Sequence, residues 1–116
     1  MTDSELLERM NSALEQIREA IEARGGLLEI DKKPDFRWIG LARMPAGKLQ
    51  IQTQKTGRQA SPESKKPVAE ALADLTLEGR FIARVLFYQS NTELEFPGGA
   101  HRALDHSGIN KMLTLL

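Results

Sequence analysis

Cysteine is absent from this chain of 116 residues, which excludes disulfide bonds, zinc-thiolate sites and cysteine nucleophiles. Long apolar runs are absent too, since the longest, Val85 to Tyr88, is far too short to cross a bilayer. The first residues, Met1 to Glu5, are acidic, whereas a secretory signal starts with basic residues followed by an apolar stretch. We therefore expect a small soluble cytoplasmic protein with no membrane partner.

A net charge of one sign is also lacking, because sixteen basic residues balance sixteen acidic ones. This balance argues against a protein whose whole surface is built for nucleic acid. The signs are nevertheless segregated along the chain. Acids prevail over residues 1–23 (Asp3, Glu5, Glu8, Glu15, Glu19, Glu22) and bases over residues 43–66 (Arg43, Lys48, Lys55, Arg58, Lys65, Lys66). Such asymmetry fits two solvated faces, a contact with an acidic partner, or self-association between unlike faces.

Sequence motifs of catalysis are missing as well. No phosphate-binding G-x-x-x-x-G-K-[ST] loop, dinucleotide-binding G-x-G-x-x-G turn or G-x-S-x-G nucleophile elbow occurs. The one cluster of reactive side chains is His101, Asp105 and His106 in a glycine-rich stretch. Two histidines five residues apart on a helix would point in different directions, and a metal site needs at least three converging ligands. We expect no enzymatic activity and no cofactor or metal, with a small enzyme at these residues as a third alternative.

An amphipathic helix opens the chain. Thr2 and Glu5 have the spacing of a capping box, and the pair Gly25-Gly26 supplies a left-handed stop. The apolar residues between them recur at helical spacing: Leu7, Met10, Leu14, Ile17 and Ile21. Leu6, Ala13 and Ala20 widen this stripe, which favours a helix that covers a sheet over a coiled-coil seam between two copies.

Two hairpins are expected to form the sheet. In the first, a strand at residues 36–44 is followed by a turn at residues 45–47 and by a returning strand at residues 48–54, with Leu41 opposite Ile51. One face then holds the core residues Ile39, Leu41, Leu49 and Ile51, and the other holds Trp38, Gly40, Ala42, Gln50, Gln52 and Gln54. The second hairpin pairs residues 80–89 with 92–96 and places Phe87 opposite Leu94.

Two further helices and one short strand complete the expected order α-β-β-β-α-β-β-α. A second helix runs from a cap at Ser64 to Glu78, and a C-terminal helix carries Ile109, Met112, Leu113 and Leu116 after a cap at Ser107. The sequence thus predicts one α+β domain over residues 1–116, with a largely antiparallel sheet covered by the N-terminal helix and a second helix. This order is similar to that of the dimeric chaperones of bacterial secretion systems, which implies a chaperone-like binding protein as one alternative.

Two surfaces are candidates for binding. Trp38, beside Gln50 and Gln52, would stack on a base or anchor a partner if that face is open; otherwise Trp38 belongs to the core or to a dimer interface. The basic segment 55–66 carries Lys55, Arg58, Lys65 and Lys66, which would contact phosphates or an acidic protein unless it is an ordinary solvated loop.

The apolar stripes of this chain exceed what one modest core can hide, and this excess favours a function based on contact. They lie on the first helix, on the face around Trp38 and on the C-terminal leucines. We therefore expect a non-enzymatic protein-binding or adaptor protein that acts as a homodimer. The main alternative is a small nucleic-acid-binding accessory protein that uses Trp38 and the basic segment 55–66.

Overall fold

A long helix, α1 (Asp3–Glu22), begins the computed structural model, which describes residues 1–58 and 67–116. The Thr2 hydroxyl oxygen caps this helix by accepting a hydrogen bond from the Glu5 N–H at 3.1 Å. At the other end Gly25 adopts a φ of 86°, and the Gly26 N–H reaches back to the Ile21 carbonyl at 3.1 Å. The cap, the glycine stop and the amphipathic stripe predicted from the sequence are confirmed.

Seven strands follow α1 and pair in chain order. They are β1 (Leu28–Asp31), β2 (Ile39–Met44), β3 (Gly47–Lys55), β4 (Ala71–Leu77), β5 (Arg80–Phe87), β6 (Thr92–Glu95) and β7 (His101–Ala103), and the helix α2 (His106–Leu113) ends the order. Every neighbouring pair is antiparallel, so β1 and β7 form the two edges of one sheet. The predicted α+β class, with a largely antiparallel sheet and a helix at each end of the chain, is confirmed.

Both helices pack on the same face of the sheet. The buried side of α1 joins the core with inward residues of the central strands, among them Leu49, Ile51 and Leu75. Helix α2 lies so close to the sheet that a Cβ on Gly108 would overlap the Ala103 carbonyl oxygen and would lie 3.3 Å from the Leu94 side chain. In the described part of the chain, the opposite face carries no helix, and neither helix is long and apolar enough to span a membrane.

One segment predicted to be a helix is a strand. Residues 71–77 form β4, which pairs with β3 on one side and with β5 on the other. Its odd-numbered residues are buried and its even-numbered ones half-exposed, so the apolar spacing that resembled a helix belongs to alternation in a central strand. Glu78 and Gly79, expected to end the helix, have φ values of 49° and 78° and form a two-residue hairpin turn instead. The proposed cap at Ser64 lies outside the described residues.

The first hairpin is shifted by one residue from the predicted register. Met44 pairs with Gly47 and Leu41 with Gln50, so the loop has two residues rather than three. A shift of one residue turns every side chain of β2 to the other face. Gly40 and Ala42 therefore point into the core, and the assignment of Ile39 and Leu41 to the core is wrong.

Burial of Trp38 explains this register. Its side chain is only 3% exposed, and its indole N–H donates a hydrogen bond to the Lys33 carbonyl at 2.8 Å. The buried Thr53 hydroxyl fixes the same segment by accepting from the Trp38 N–H at 2.8 Å and donating to the Phe36 carbonyl at 2.6 Å. In this register Trp38 is buried almost completely, whereas Ile39 and Leu41 on the outer face still remain partly covered. Burying the large indole therefore removes more apolar surface from water than burying Ile39 and Leu41 fully would, and Trp38 takes the inner face.

The second hairpin keeps its predicted faces although its register moves. Val85, rather than Phe87, lies opposite Leu94, a shift of two residues that leaves Val85, Phe87 and Leu94 on the inner face. Strand β7 was not predicted at all. Helix α2 is confirmed at the C-terminus, but Asp105 and not Ser107 caps it, accepting from the Gly108 N–H at 2.9 Å.

Candidate functional site

The open face of the sheet carries the exposed apolar side chains of this protein. Leu27 is 62% exposed, Ile39 42% and Leu41 41%, and these are the large hydrophobic residues exposed within the described part of the chain. All three lie along the β1 edge of the sheet: Leu27 where the α1–β1 connection enters β1, Leu41 opposite Glu29, and Ile39 opposite Asp31 at the far end of β1. We call Leu27, Ile39 and Leu41 the apolar corner. Single exposed leucines are ordinary, whereas a cluster at one place indicates a contact surface.

A shallow groove of about 840 Å³ runs past Leu27 and Leu41 of this corner. It extends from the α1–β1 connection to the turn between β2 and β3, and its lining includes Leu27, Glu29, Leu41, Arg43 and Lys48. Ala42, Met44, Gly47 and Glu78 complete the floor and one end. An apolar floor between charged walls is the composition of a protein-binding groove rather than of an enclosed small-molecule pocket.

The charged residues that line the groove are Glu29 on β1, Arg43 on β2, Lys48 on β3 and Glu78 in the β4–β5 turn. The Glu78 carboxylate accepts a hydrogen bond from the Lys48 N–H at 2.8 Å. Asp31 lies further along β1 on the same face. Among the described residues, no ion pair includes Glu29, Arg43 or Lys48. Asp31 has one loose contact, 3.9 Å from the Lys33 ammonium. Three acids (Glu29, Asp31 and Glu78) and two bases (Arg43 and Lys48) thus face the solvent beside an apolar strip.

No protein-family model, curated protein or solved structure matches this chain.

The aromatic site predicted from the sequence is not assembled. Trp38 lies in the core, whereas Gln50, Gln52 and Gln54 project from the other side of the sheet. The prediction that the indole and the glutamines share one face is therefore wrong. The one-residue shift of register that turns Ile39 and Leu41 outwards also turns Trp38 inwards. Gln50 and Gln52 remain on the open face, directly opposite Leu41 and Ile39.

The basic segment is only partly described. Lys55 pairs with Asp3 at 2.7 Å, and its ammonium lies 5.0 Å from the centre of the Phe36 ring. Its charge is thus engaged within the protein. Arg58 is exposed, with its N–H bonded to the Thr56 hydroxyl at 3.2 Å. Lys65 and Lys66 lie outside the described residues, so the four bases of the hypothesis cannot be placed together.

The histidine cluster is divided between β7 and the start of α2. His101, on β7, lies between Glu93 and Glu95 of β6, with N···O distances of 3.4 Å and 3.0 Å. Asp105 is occupied as the cap of α2, and His106 is the first residue of that helix. In residues 1–58 and 67–116 no group of three or more acidic or histidine side chains is arranged to hold a metal.

The other half of the open face is polar and internally paired. Arg84 donates from Nε to Asp74 at 2.6 Å, and this hydrogen bond raises the pKa of the guanidinium above its usual value. Nearby, burial raises the pKa of Tyr88, and the negative charges of Glu93 and Glu95 add to the effect. Arg84 and Asp74 thus neutralise each other in this half of the face, whereas Leu27, Ile39 and Leu41 keep apolar surface exposed in the other half.

Sequence reasoning missed the apolar corner because it placed Ile39 and Leu41 inside. One signal was present in the sequence: the β2 segment alternates Trp38, Gly40 and Ala42 with Ile39, Leu41 and Arg43. Which of these two sets faces the core depends on how much space lies between β2 and the helix that covers the sheet, because a narrow space admits only small residues such as Gly40 and Ala42. A Cβ on Gly40 would already meet the Leu28 and Ile51 side chains at 3.3–3.4 Å, which shows how little space the inner face leaves.

Proposed function

We propose that this chain is a non-enzymatic protein-binding or adaptor protein that acts as a homodimer through the open face of its sheet. The observation that carries the proposal is the apolar corner, where the three exposed large hydrophobic residues of the described chain lie together. Clusters of this kind, flanked by charges, mark contact surfaces in proteins. A chaperone-like role, which also requires protein binding, is one form of the same proposal.

The face of the sheet is a better contact surface than its edges. Edge strand β1 has four residues and β7 has three, so each offers only a short row of free backbone groups. Asp31, at the end of β1, is followed by Lys32, Lys33 and Pro34, which are residues that discourage the addition of a further strand. The edges are therefore protected, whereas the apolar corner is not.

The size of the corner sets the expected strength of the contact. Fully burying a Leu or Ile side chain contributes about 1.5–3 kcal/mol. Scaled by exposures of 62%, 42% and 41%, the corner would contribute about 2–4 kcal/mol for each copy. Association costs several kcal/mol of lost rigid-body freedom. These terms predict a reversible dimer that dissociates on dilution, not a permanently joined pair.

Sedimentation velocity over a range of concentrations tests the proposal. Wild-type protein should approach twice the protomer mass of 12.9 kDa as concentration rises. The double variant Leu27→Ser/Leu41→Thr should remain a monomer, because both changes replace exposed apolar groups without altering the core. Gln54→Ser, on the same face but outside the corner, is the matched control and should dimerise normally. A wild-type protein that stays monomeric at high concentration would contradict the proposal.

Binding to other proteins is the second part of the proposal. A partner retained by wild-type protein in a pull-down, and lost with Leu27→Ser/Leu41→Thr, would support it if Gln54→Ser retains the same partner. We keep a cytoplasmic location as part of the proposal, to be tested by fractionation. Nucleic-acid binding is not carried further, since the indole on which it depended is buried. Salt-sensitive binding to DNA or RNA would restore that alternative.

A further inference from the structure

We propose that His101 is a proton-dependent clasp, which holds the edge strand β7 on the sheet when its imidazole ring is charged. Strand β7 lies across the whole sheet from β1 and the apolar corner, so the clasp is independent of the proposed homodimer. Two features support it: the short ladder that attaches β7, and the positions of the two ring nitrogens of His101.

Strand β7 is attached to the sheet by a short ladder. It has three residues, all of them exposed, and β6 is its partner among the described strands. Backbone bonds close the two ends of this ladder: the Phe96 N–H donates to the Ala100 carbonyl at 2.8 Å, and the Leu104 N–H donates to the Thr92 carbonyl at 3.1 Å. Short ladders with solvent-exposed hydrogen bonds open at a low cost in free energy. A side-chain contact between β6 and β7 therefore changes how often β7 opens.

Both ring nitrogens of His101 face carboxylates of β6. Nε2 lies 3.0 Å from Glu95, and Nδ1 lies 3.4 Å from Glu93. The register explains these contacts, since His101 is directly opposite Glu95, and Glu93 is two residues away on the same face of β6. A neutral imidazole has one N–H, so its other nitrogen would turn a lone pair towards a carboxylate oxygen. Only the charged ring, which has two N–H groups, donates to both carboxylates.

The charges on the neighbouring strands favour the same protonation state. Arg84 on β5 is directly opposite Glu95, and Asp74 on β4 is directly opposite Arg84 and accepts its hydrogen bond at 2.6 Å. With Glu93, three carboxylates thus share one guanidinium among the described residues on this half of the open face. A positive charge on His101 reduces this excess of negative charge, and it continues an alternation of sign from β4 to β7.

The other titratable groups near His101 do not compete for the two acids of β6. Tyr88 stays a neutral phenol, because burial above all, and then the negative charges of β6, raise its pKa. Arg102, also on β7, is in register with the buried Leu94 and therefore points to the opposite face of the sheet. Asp105 is engaged as the cap of α2.

The clasp closes as the pH falls and opens as the pH rises. Histidine changes its charge between about pH 5 and 8, whereas glutamate stays ionised above about pH 5. Exposed ion pairs are individually weak, so the two contacts of one ring predict a change of about three- to tenfold in how often β7 opens. Opening leaves the backbone of β6 as the edge of the sheet, and a free edge is a surface to which another strand can add.

Amide hydrogen exchange followed by NMR tests the clasp. The reporters are the Phe96 and Leu104 amides, at the two ends of the β6–β7 ladder. Neither is a neighbour of residue 101, so comparing wild type with His101→Gln at one pH cancels the intrinsic exchange rates. At about pH 5.5 both reporters should exchange about three- to tenfold more slowly in wild type, and at about pH 8 the difference should fall to within about twofold. The Gly26 amide, bonded to the Ile21 carbonyl at the end of α1, is the local reference and should exchange equally in both proteins.

Three further variants separate the charge of His101 from its shape. His101→Arg carries a permanent cation and should keep both reporters slow at about pH 5.5 and at about pH 8. Glu95→Gln removes the nearer acid, and in that background His101→Gln should lose most of its effect at about pH 5.5. His106→Gln changes the other histidine, the exposed first residue of α2, and is the matched control that should behave as wild type.

The outcomes distinguish a charged clasp from an ordinary exposed histidine. Slower exchange in wild type at the lower pH alone, reproduced by His101→Arg at both pH values, would support the proposal. Equal rates in wild type and His101→Gln at about pH 5.5, or a difference of the same size at about pH 8, would overturn it. Faster exchange of the Gly26 amide in His101→Gln would also overturn it, because His101 would then support the fold at large rather than the β7 edge.

Discussion

Two leucines on neighbouring strands offer a direct test of which face is the core. Leu49, on β3, is fully buried, whereas Leu41, on β2, is 41% exposed on the open face. Truncation to alanine removes about three carbon groups, or about 2.4 kcal/mol of transfer free energy for a fully buried side chain. For Leu49→Ala a cavity is added, giving a loss of about 3–5 kcal/mol.

For Leu41→Ala the loss is smaller on two grounds. Only about six-tenths of the side chain is covered, which limits the transfer loss to about 1.4 kcal/mol. The site also opens to solvent, so no closed cavity remains. We expect Leu49→Ala to cost at least twice as much free energy of unfolding as Leu41→Ala.

Urea unfolding at low protein concentration, where the dimer has dissociated, is the suitable assay. Dilution matters because a dimer would add stability that depends on concentration. The single tryptophan, Trp38, is buried and its fluorescence reports the transition without labelling. If Leu41→Ala cost as much as Leu49→Ala, Leu41 would be a core residue. The observed hairpin register, and every inference about the open face, would then be refuted.

Three further outcomes are expected. Thr53→Val should cost about 2–4 kcal/mol, because the Trp38 N–H and the Phe36 carbonyl both lose a buried partner; Thr53→Ser, measured by the same urea unfolding, should recover much of it. Gly108→Ala should destabilise by about 1–3 kcal/mol in thermal unfolding, since its Cβ would overlap a backbone oxygen of β7. Absorbance titration of the single tyrosine, Tyr88, should give a midpoint above its usual 10.0.

The sign of the tyrosine effect on stability follows from that direction. A pKa raised in the folded state means that folding favours the neutral phenol. Its contribution to stability is therefore fully present below the pKa of an unfolded tyrosine and is lost as pH rises through the raised value. Tyr88→Phe should remove this alkaline loss, and an unchanged pH profile would show that burial does not act on the phenol.

The sequence could predict those elements whose signals are local. Helix α1 was predicted correctly because Thr2, Gly25 and the apolar stripe between them all act within a few turns of one helix. Both hairpins were recognised from their turns. Helix α2 was found from its apolar spacing, although Asp105 rather than Ser107 supplies the cap.

The segment of β4 was misread because its local pattern is ambiguous. Ala71, Leu72 and Leu75 fit a helical period as well as they fit a strand that is covered on one face. The choice is settled by pairing with two strands, which satisfies the backbone hydrogen bonds on both sides of β4. Strand β3 pairs with it from 16 or more residues away in sequence, and β5 follows it after a two-residue turn. Such long-range pairing leaves no mark within the segment itself.

The candidate site shows the same division between local and tertiary information. By itself, the sequence determined that the chain forms α1, a set of antiparallel hairpins and α2, because capping, turns and hydrophobic periodicity act over a few residues. Only the tertiary structure decided that Trp38 lies inside and that Leu41 lies outside. A strand alternates with a period of two, so a slip of one residue reverses its faces, and the energy that chooses between the two registers comes from α1 and the core beneath it.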